Sequence, residues 1–232
     1  MPTMNEIYKK YATQYDNLVK AEDYQKNIDR YLINNIEWKD KVVYEAGIGT
    51  GRLTKIYIQQ IKKLYGFDRE AHMIEQCKNN LNEYLEKVFL NIGNNESLPV
   101  IEEKADIFIE GWSFGHTIVE NNNDIQSTTE KIINNIRRNT TVDSMKIIIE
   151  TLGTNVNEPK YINNDLKQFY RLIEEEYGFK RTIVKTDYKF DNYREAAKIM
   201  GFFFGEEMER GIIKRKSEIV PEYTGIWIKR NE

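Results

Sequence analysis

An apolar run that leads into three alternating glycines constrains this chain more than any other feature. The stretch VVYEAGIGTGRLTKIY occupies residues 42–57 and places Gly47, Gly49 and Gly51 directly after the apolar residues. Because glycine has no Cβ, a backbone built from it bends tightly and lets another group press against it. The pattern predicts a strand, a tight turn and a helix, with a ligand held against the turn. A tight turn without a ligand is the alternative.

Length and composition set the scale of the fold around that turn. The chain has 232 residues, of which 40% are hydrophobic, enough for one large domain with a sizeable core. Its net charge of -3 argues against general affinity for nucleic-acid phosphates. No apolar stretch approaches the ~20 residues that cross a bilayer. We therefore expect a cytoplasmic protein, a monomer or a homodimer, with neither nucleic acid nor membrane as a partner.

The residues that bind metals most often are scarce. Cys77 is the only cysteine, and His72 and His116 are the only histidines. One thiol cannot form an internal disulfide or a thiolate cluster, and two histidines do not make a histidine-rich metal site. We expect no metal.

Strands alternate with helical segments along most of the chain. Alternation of this kind indicates a mostly parallel sheet covered by helices on both faces, with ligands bound at the carboxyl ends of the strands. A helical segment at 192–215 precedes the last strand, which suggests one antiparallel strand at the end. The predicted strands lie at 40–47, 63–68, 87–93, 105–112, 144–153, 179–190 and 223–230, and a helix is predicted at 51–61.

Two residues narrow the choice of ligand. A dinucleotide-binding G-x-G-x-x-G/A turn needs a small residue at position 52, where this chain has Arg52. No Gly-Lys-Ser/Thr follows the turn, so it is not a P-loop. Asp68 lies 21 residues after Gly47 at the predicted end of the second strand. An acid there suits a ribose with free hydroxyls, and the alternative is a helix N-cap. The sequence favours a ribose-bearing ligand without a diphosphate.

Four segments, in order, resemble the motifs of the class I S-adenosylmethionine-dependent methyltransferases, in particular the members that act on small molecules. They are VVYEAGIGTGRLT at 42–54, FDREAHMIEQC at 67–77, NIGNNESLP at 91–99 and ADIFIEGWSFGHTI at 105–118. The resemblance covers about residues 40–150. It implies an α/β fold of the Rossmann-like, doubly wound type. Such a fold has a seven-stranded, mostly parallel sheet with one antiparallel strand near the C-terminus and helices on both faces.

The resemblance also implies the cofactor, S-adenosyl-L-methionine, and the residues around it. The segment YKKYATQYDNLV at 8–19 is similar to the lid of small-molecule members, although core packing remains an alternative role for Tyr8 and Tyr11. Asn94 and Asn95 depart from the family's usual Asp and Ala. The aromatic face of Trp112 is suited to a sulfonium. The predicted cofactor-binding residues are Tyr15, Glu45, Gly47, Gly49, Gly51, Asp68, Met73, Asn94, Asn95 and Trp112.

The implied organisation is a single methyltransferase domain over residues 1–232. Within it, 1–37 would be an N-terminal helical lid and 38–152 the cofactor-binding core. Residues 153–232 would complete the sheet and carry a helical insertion near the substrate.

The implied reaction is an in-line methyl transfer to a small-molecule acceptor, accelerated mainly by proximity and orientation. His116 and Glu110 are the candidate catalytic bases, and Glu150 is a third candidate. Helix capping is the alternative role for His116, and a contact to a polar substrate is the alternative for Glu110. The sequence EGWS follows the fourth strand where enzymes that methylate nucleic-acid bases carry an NPPY-like tetrapeptide. A non-catalytic cofactor-binding or protein-interaction module of the same fold remains an alternative, and Arg52 disfavours an NAD-dependent oxidoreductase.

Overall fold

Helices and strands alternate along the part of the chain that the structure, a computed structural model, describes: the backbone of residues 12–231 and the side chains of residues 17–231. No helix in this part is long and apolar enough to cross a membrane. The helices are α1 (Ala12–Ala21), α2 (Asn27–Asn35), α3 (Thr54–Tyr57), α4 (Ala71–Asn80), α5 (Phe114–Glu120), α6 (Ile125–Asn139), α7 (Asn164–Glu175), α8 (Tyr193–Phe204) and α9 (Glu206–Arg215). The strands are β1 (Val42–Ala46), β2 (Lys63–Asp68), β3 (Val88–Ile92), β4 (Ala105–Gly111), β5 (Thr140–Thr154), β6 (Lys180–Lys185), β7 (Tyr188–Lys189), β8 (Ile219–Val220) and β9 (Glu222–Arg230).

Seven strands form one sheet in the order β3-β2-β1-β4-β5-β9-β6. The strands from β3 to β5 pair in parallel, and antiparallel strands occur near the C-terminus. This confirms the predicted Rossmann-like α/β fold. Ala46, the last residue of β1, pairs with Phe67 on one side and Glu110 on the other. The carboxyl ends of β1, β2 and β4 therefore meet at one edge of the sheet, where such folds bind ligands.

The described chain divides into two compact units. The larger contains Tyr31–Thr151, Tyr161–Thr182 and the described part of Gly225–Glu232. Its centre contains a series of aromatic rings, in which Tyr44 stacks on both Phe67 and Phe108 with ring centroids 4.8 and 5.3 Å away. All five side chains of β1 are buried, as expected for a central parallel strand covered on both faces.

The smaller unit contains Leu152–Lys160, Ile183–Thr224 and the described part of Met1–Arg30. It has an apolar core of its own and a two-stranded antiparallel ladder of β7 and β8. The predicted organisation, a single domain with a helical lid at 1–37, stays a prediction. The buried residues of this smaller core are Leu18, Ala21, Tyr188, Phe190, Ala196, Ala197, Met200, Ile212 and Val220.

Three predicted elements differ from the observed ones. The helix predicted at 51–61 is only the single turn α3, because the Lys41 carbonyl accepts the N–H groups of Lys62 and Lys63 and draws the chain back into β2. The strand predicted at 179–190 splits into β6 and β7, and β7 pairs with β8 outside the large sheet. The helical segment at 192–215 breaks into α8 and α9 at Gly205, whose φ is 92°.

Candidate functional site

The glycine turn between β1 and α3 is fastened to the end of β2. Gly47, Gly49 and Gly51 have φ values of 62°, 55° and 84°, which favour glycine. The N–H of Ile48 donates to the Phe67 carbonyl at 3.0 Å, and the N–H of Gly49 donates to Asp68 Oδ2 at 2.9 Å. The left-handed conformations thus let the turn lie against the neighbouring strand.

The surroundings of the three glycines differ. A Cβ on Gly47 would overlap the Oγ and Cβ atoms of Ser113. A Cβ on Gly51 would come within 3.1 Å of Cys77 Sγ. At Gly49 the same atom would meet nothing within 4 Å. The first and third glycines therefore make room for other parts of the protein, and open space for a ligand lies beside Gly49.

Asp68 holds both the glycine turn and the start of the next helix. Besides the bond from Gly49, its Oδ1 accepts the N–H of Glu70 at 2.9 Å. Burial raises the pKa of Asp68, and the two backbone N–H groups oppose that shift. Residue Glu70 occupies the N-cap of α4, so Asp68 is not the cap itself. An ionised carboxylate has about four acceptor positions, so two donors leave capacity for ribose hydroxyls.

Glu45 lies beneath the glycine turn. Its Oε2 accepts hydrogen bonds from the hydroxyls of Thr54, at 2.5 Å, and Tyr57. Tyr57 in turn stacks on Trp38 with ring centroids 4.3 Å apart. Burial raises the pKa of Glu45 to about 7, although both hydroxyl bonds lower it. The structure directs this carboxyl into the protein, where it anchors α3, and its contact with a cofactor stays a prediction.

Trp112, at the end of β4, has a φ of 55°, a conformation in which bulky residues are rare. Its N–H donates to the Ile149 carbonyl at 2.8 Å, which helps to hold that conformation. The guanidinium of Arg52 lies 4.5 Å from the centre of its indole ring. Arg52, which argued against a dinucleotide, thus pairs with the predicted aromatic residue beside the glycine turn.

The asparagines after β3 connect this loop to α5. The Asn95 amide donates to the carbonyl and Oγ of Ser113, both at 3.3 Å, and to Thr117 Oγ1 at 3.0 Å. Asn94 Oδ1 accepts the N–H of Glu96 at 3.1 Å. Met73 is buried in α4, with 8% of its surface exposed. Asn94 and Asn95 follow β3 at the edge of the sheet that carries the glycine turn, and the cofactor contacts of all three residues stay predictions.

The predicted bases Glu110 and Glu150 are both buried at the start of α5. Glu110 Oε1 accepts the N–H groups of Ser113 and Phe114 at 2.6 and 3.0 Å and the Ser113 hydroxyl at 3.0 Å. Glu150 Oε1 accepts the N–H of Gly115 at 2.6 Å. These bonds satisfy N–H groups that the first turn of a helix leaves unpaired. The structure therefore gives both carboxyls a capping role, and catalysis by Glu110 stays a prediction.

His116 occupies the third position of α5 with an exposed side chain. Desolvation of the part that faces the protein lowers its pKa, and Arg69 adds to this while Glu120 opposes it. Arg69 and Glu120 form an ion pair at 2.8 Å. A lowered pKa favours the neutral imidazole, the form that accepts a proton. The N-cap of this helix is Ser113, so the capping role considered for His116 is not observed.

Several predicted features lie outside what the structure describes. Tyr15 belongs to α1, but only the backbone is described at that position. Tyr8 and Tyr11 lie outside the described residues altogether. Between residues 12 and 231 no group of three or more His, Cys, Asp or Glu side chains could hold a metal ion.

Sequence patterns did not reveal the roles of Ser113, Thr54 and Tyr57, which hold the glycine turn from either side. Each acts through a contact with a residue distant in the chain or hidden beneath the turn. The only available signal was a hydroxyl residue shortly after each of two glycine-containing strand ends, and that signal is common in proteins.

Comparisons with known proteins agree with this geometry. Residues 43–139 match the family described as a methyltransferase domain. An "uncharacterized methyltransferase" of Anoxybacillus flavithermus is 33% identical over 116 residues, which are 48% of this chain and 53% of that protein. The chain thus spans about half the length of the curated relatives it matches. These matches agree with the resemblance to methyltransferases over the part of the chain that carries the glycine turn.

Solved structures extend the likeness to most of the chain. A Bacillus halodurans protein described as a methyltransferase superposes with a TM-score of 0.60 at 12% identity, covering 87% of this chain and 97% of that one. The cyclase SpnF superposes with a TM-score of 0.55 at 13% identity, covering 90% of this chain and 83% of that one. At such identities the likeness shows the fold alone.

The contact between Gly47 and Ser113 predicts an energetic coupling. Gly47→Ala should lower the free energy of unfolding by overlap with Ser113, about 1–3 kcal/mol, and by the strained φ. Ser113→Gly removes the overlapping atoms, so the double variant should lose less than the sum of the single variants. Urea denaturation gives the free energy of unfolding of the wild type, the two single variants and the double variant. Gly49→Ala, with the same φ strain and open space, is the matched control and should show no coupling to Ser113→Gly. Strict additivity at Gly47 would contradict the proposed contact.

The raised pKa of Glu45, about 7, predicts a pH-dependent stability. Between about pH 4.5 and 7 the folded protein holds a proton that the unfolded chain has released. Its contribution is present in full below that window and is lost as the pH rises through it, by at most about 1.4 kcal/mol per pH unit. Glu45→Gln should therefore flatten the decline in the free energy of unfolding, measured in urea from pH 5 to pH 8. The exposed Glu86→Gln should leave it unchanged. Parallel curves for Glu45→Gln and the wild type would refute the assignment.

Proposed function

We propose that this chain binds S-adenosyl-L-methionine at the glycine turn, because residues 43–139 match the methyltransferase-domain family and the turn lies at the ligand-binding edge of a Rossmann-like sheet. We further propose that it transfers the methyl group to a small-molecule acceptor in the cytoplasm. The observation that carries the proposal is the open space at Gly49, whose N–H is held by the carboxylate of Asp68.

The residues at this edge of the sheet fit such a cofactor. A side chain on Gly49 would occupy the open space. Asp68 retains acceptor capacity for two ribose hydroxyls, as in folds that bind ribose at the end of the second strand. Asn94 and Met73 lie in the segments that would face the adenine, and Trp112 offers an aromatic face to a sulfonium. Backbone at the turn and one carboxylate thus supply the polar contacts, without a diphosphate site.

When bound, the cofactor supplies a methyl group already activated by a positively charged sulfur. The residues of this chain contribute orientation: Ile48 and Gly49 are hydrogen-bonded to β2, and Glu45 fixes the helix that follows the turn. Holding reactants in line accelerates a displacement without any covalent step by the protein. If the acceptor must lose a proton, His116 is the candidate whose lowered pKa keeps it neutral.

A second candidate is a module that binds the cofactor without transferring its methyl group. The observation in its favour is that Glu110 and Glu150 direct their carboxyls to backbone N–H groups of α5. The name of the cyclase SpnF also indicates that a protein of this fold serves another reaction. Binding and turnover must therefore be measured separately.

Calorimetry should detect binding of S-adenosylmethionine and S-adenosylhomocysteine and none of NAD. Asp68→Asn should lower the affinity for S-adenosylhomocysteine tenfold or more, about 1.4 kcal/mol, because it removes charge and acceptor capacity from the ribose position. The exposed Asp143→Asn on β5 makes the same change of charge and should bind like the wild type. Absence of binding by the wild type, or equal affinities in all three proteins, would overturn the proposal.

Turnover is tested with radiolabelled S-adenosylmethionine and panels of small phenols, amines and carboxylates. We expect labelled product with one of these classes, and a lower rate for His116→Ala if the acceptor must be deprotonated. Arg69→Gln, which changes the neighbouring ion pair but leaves the imidazole, is the control for that variant. Binding without product from any panel would favour the non-catalytic module.

A further inference from the structure

Two carboxyl groups meet beneath the first turn of α5. Glu110 of β4 pairs in register with Ile148 of β5, and Glu150 lies two residues further on, hence on the same face of the sheet. Glu110 is fully buried, and 3% of the surface of Glu150 is exposed. Both accept N–H groups of the same helical turn, so the two acids are held together by the helix that they cap.

Gly115 makes this arrangement possible. A Cβ at that position would come within 2.8 Å of Glu150 Oε2 and 3.2 Å of its Cδ. Any side chain there would push the carboxyl away from the helix. Gly115 therefore allows Glu150 to pack against the first turn of α5. The glycine is needed here for contact with another part of the protein and not for contact with a ligand.

The pair requires one proton. Glu110 Oε2 is buried, and no N–H or hydroxyl group of the described chain donates a hydrogen bond to it. Glu150 caps the same turn as Glu110 and the two carboxyls interact, so a proton on Glu150 can fill this position. Two adjacent buried carboxylates cannot both ionise without a large cost. Burial raises the pKa of each acid, and that of Glu150 further because the charge of Glu110 opposes its ionisation.

The neighbouring groups do not supply a substitute for that proton. Tyr170 of α7 faces both acids, but its hydroxyl donates to the Thr151 carbonyl at 3.2 Å. Lys146 lies on the same face of β5 as Glu150, four residues earlier, which is about 13 Å along a strand. The donors to the two carboxyls are backbone N–H groups of α5 and its N-cap and the Ser113 hydroxyl.

Ser113 connects the acids to the glycine turn. Its N–H and hydroxyl both donate to Glu110, at 2.6 and 3.0 Å. The same side chain fills the space that the absent Cβ of Gly47 leaves. A chain of contacts therefore runs from Glu150 through Glu110 and Ser113 to the first glycine of the turn.

We propose that Glu150 is a positioning residue of the cofactor site, which, through a proton shared with Glu110, holds Ser113 against Gly47. This inference rests on the proposed function, because it assumes that the glycine turn binds the cofactor. When both acids ionise, the proton passes to solvent, the two charges repel each other and the support for Ser113 weakens. Affinity for the cofactor then falls as the pH rises.

The test is the affinity for S-adenosylhomocysteine, measured by calorimetry from pH 6 to pH 9. The affinity of the wild type should fall about tenfold or more over this range, since loss of one linked proton changes an affinity by up to tenfold per pH unit. Glu150→Gln keeps a permanent N–H donor towards Glu110, so its affinity should match that of the wild type at pH 6 and stay there at pH 9. Titration of the ligand itself affects the wild type and the variants equally. The affinity of the control variant Glu86→Gln should therefore change with pH as that of the wild type does. An equal pH dependence in Glu150→Gln and the wild type would overturn the inference.

A ligand-free measurement separates this inference from the proposed function. The coupling between Gly47→Ala and Ser113→Gly should fall by half or more between pH 6 and pH 9 in the wild-type background. In the Glu150→Gln background it should stay constant. If the wild type binds no S-adenosylhomocysteine at any pH, the proposed function fails. A coupling that does not change with pH overturns the role of Glu150, whichever ligand the turn holds.

Discussion

The hydrogen bond from the Gly49 N–H to the Asp68 carboxylate is the contact on which the candidate site depends. It joins the turn after β1 to the last residue of β2, and the neighbouring bond from Ile48 to the Phe67 carbonyl supports it. Both bonds require the chain to leave β1 with left-handed φ values, which L side chains rarely adopt. The glycines are needed first for this path, and the open space beside Gly49 follows from it.

The sequence predicted the fold better than it predicted the role of each side chain. Alternating strands and helices and the glycine turn are local patterns, and they determined the sheet and the edge that carries the site. The role of each glycine depends on residues far along the chain: Ser113 beside Gly47 and Cys77 beside Gly51. No local pattern reveals such a neighbour, so equal spacing in sequence concealed three different surroundings.

The acidic residues show the same limit more clearly. The resemblance implies a cofactor contact for Glu45, and Glu110 is a candidate base or substrate contact; both roles stay predictions, and the sequence did not reveal the internal partners of either acid. In the folded chain Glu45 accepts two hydroxyls, and Glu110 accepts donors from the start of a helix. Burial of a carboxyl is tolerated only with such donors, and their identity depends on tertiary packing. The short α3 has a similar cause, because the return of the chain into β2 overrides its helical pattern.

Internal use of these polar groups bears on how the site would work. Binding is weakened when loops must be ordered at the same time, and a turn that is already hydrogen-bonded avoids that cost. Asp68, Glu45 and Asn95 each tie a loop at this edge to another element, so a ligand would meet a backbone already in place. A reaction that relies on alignment gains most from such rigidity, since small displacements of a bound reactant cost large factors in rate. The contacts that Glu45 and Glu110 make within the protein hold the elements around the turn in place, and the proposed in-line transfer would gain from that rigidity.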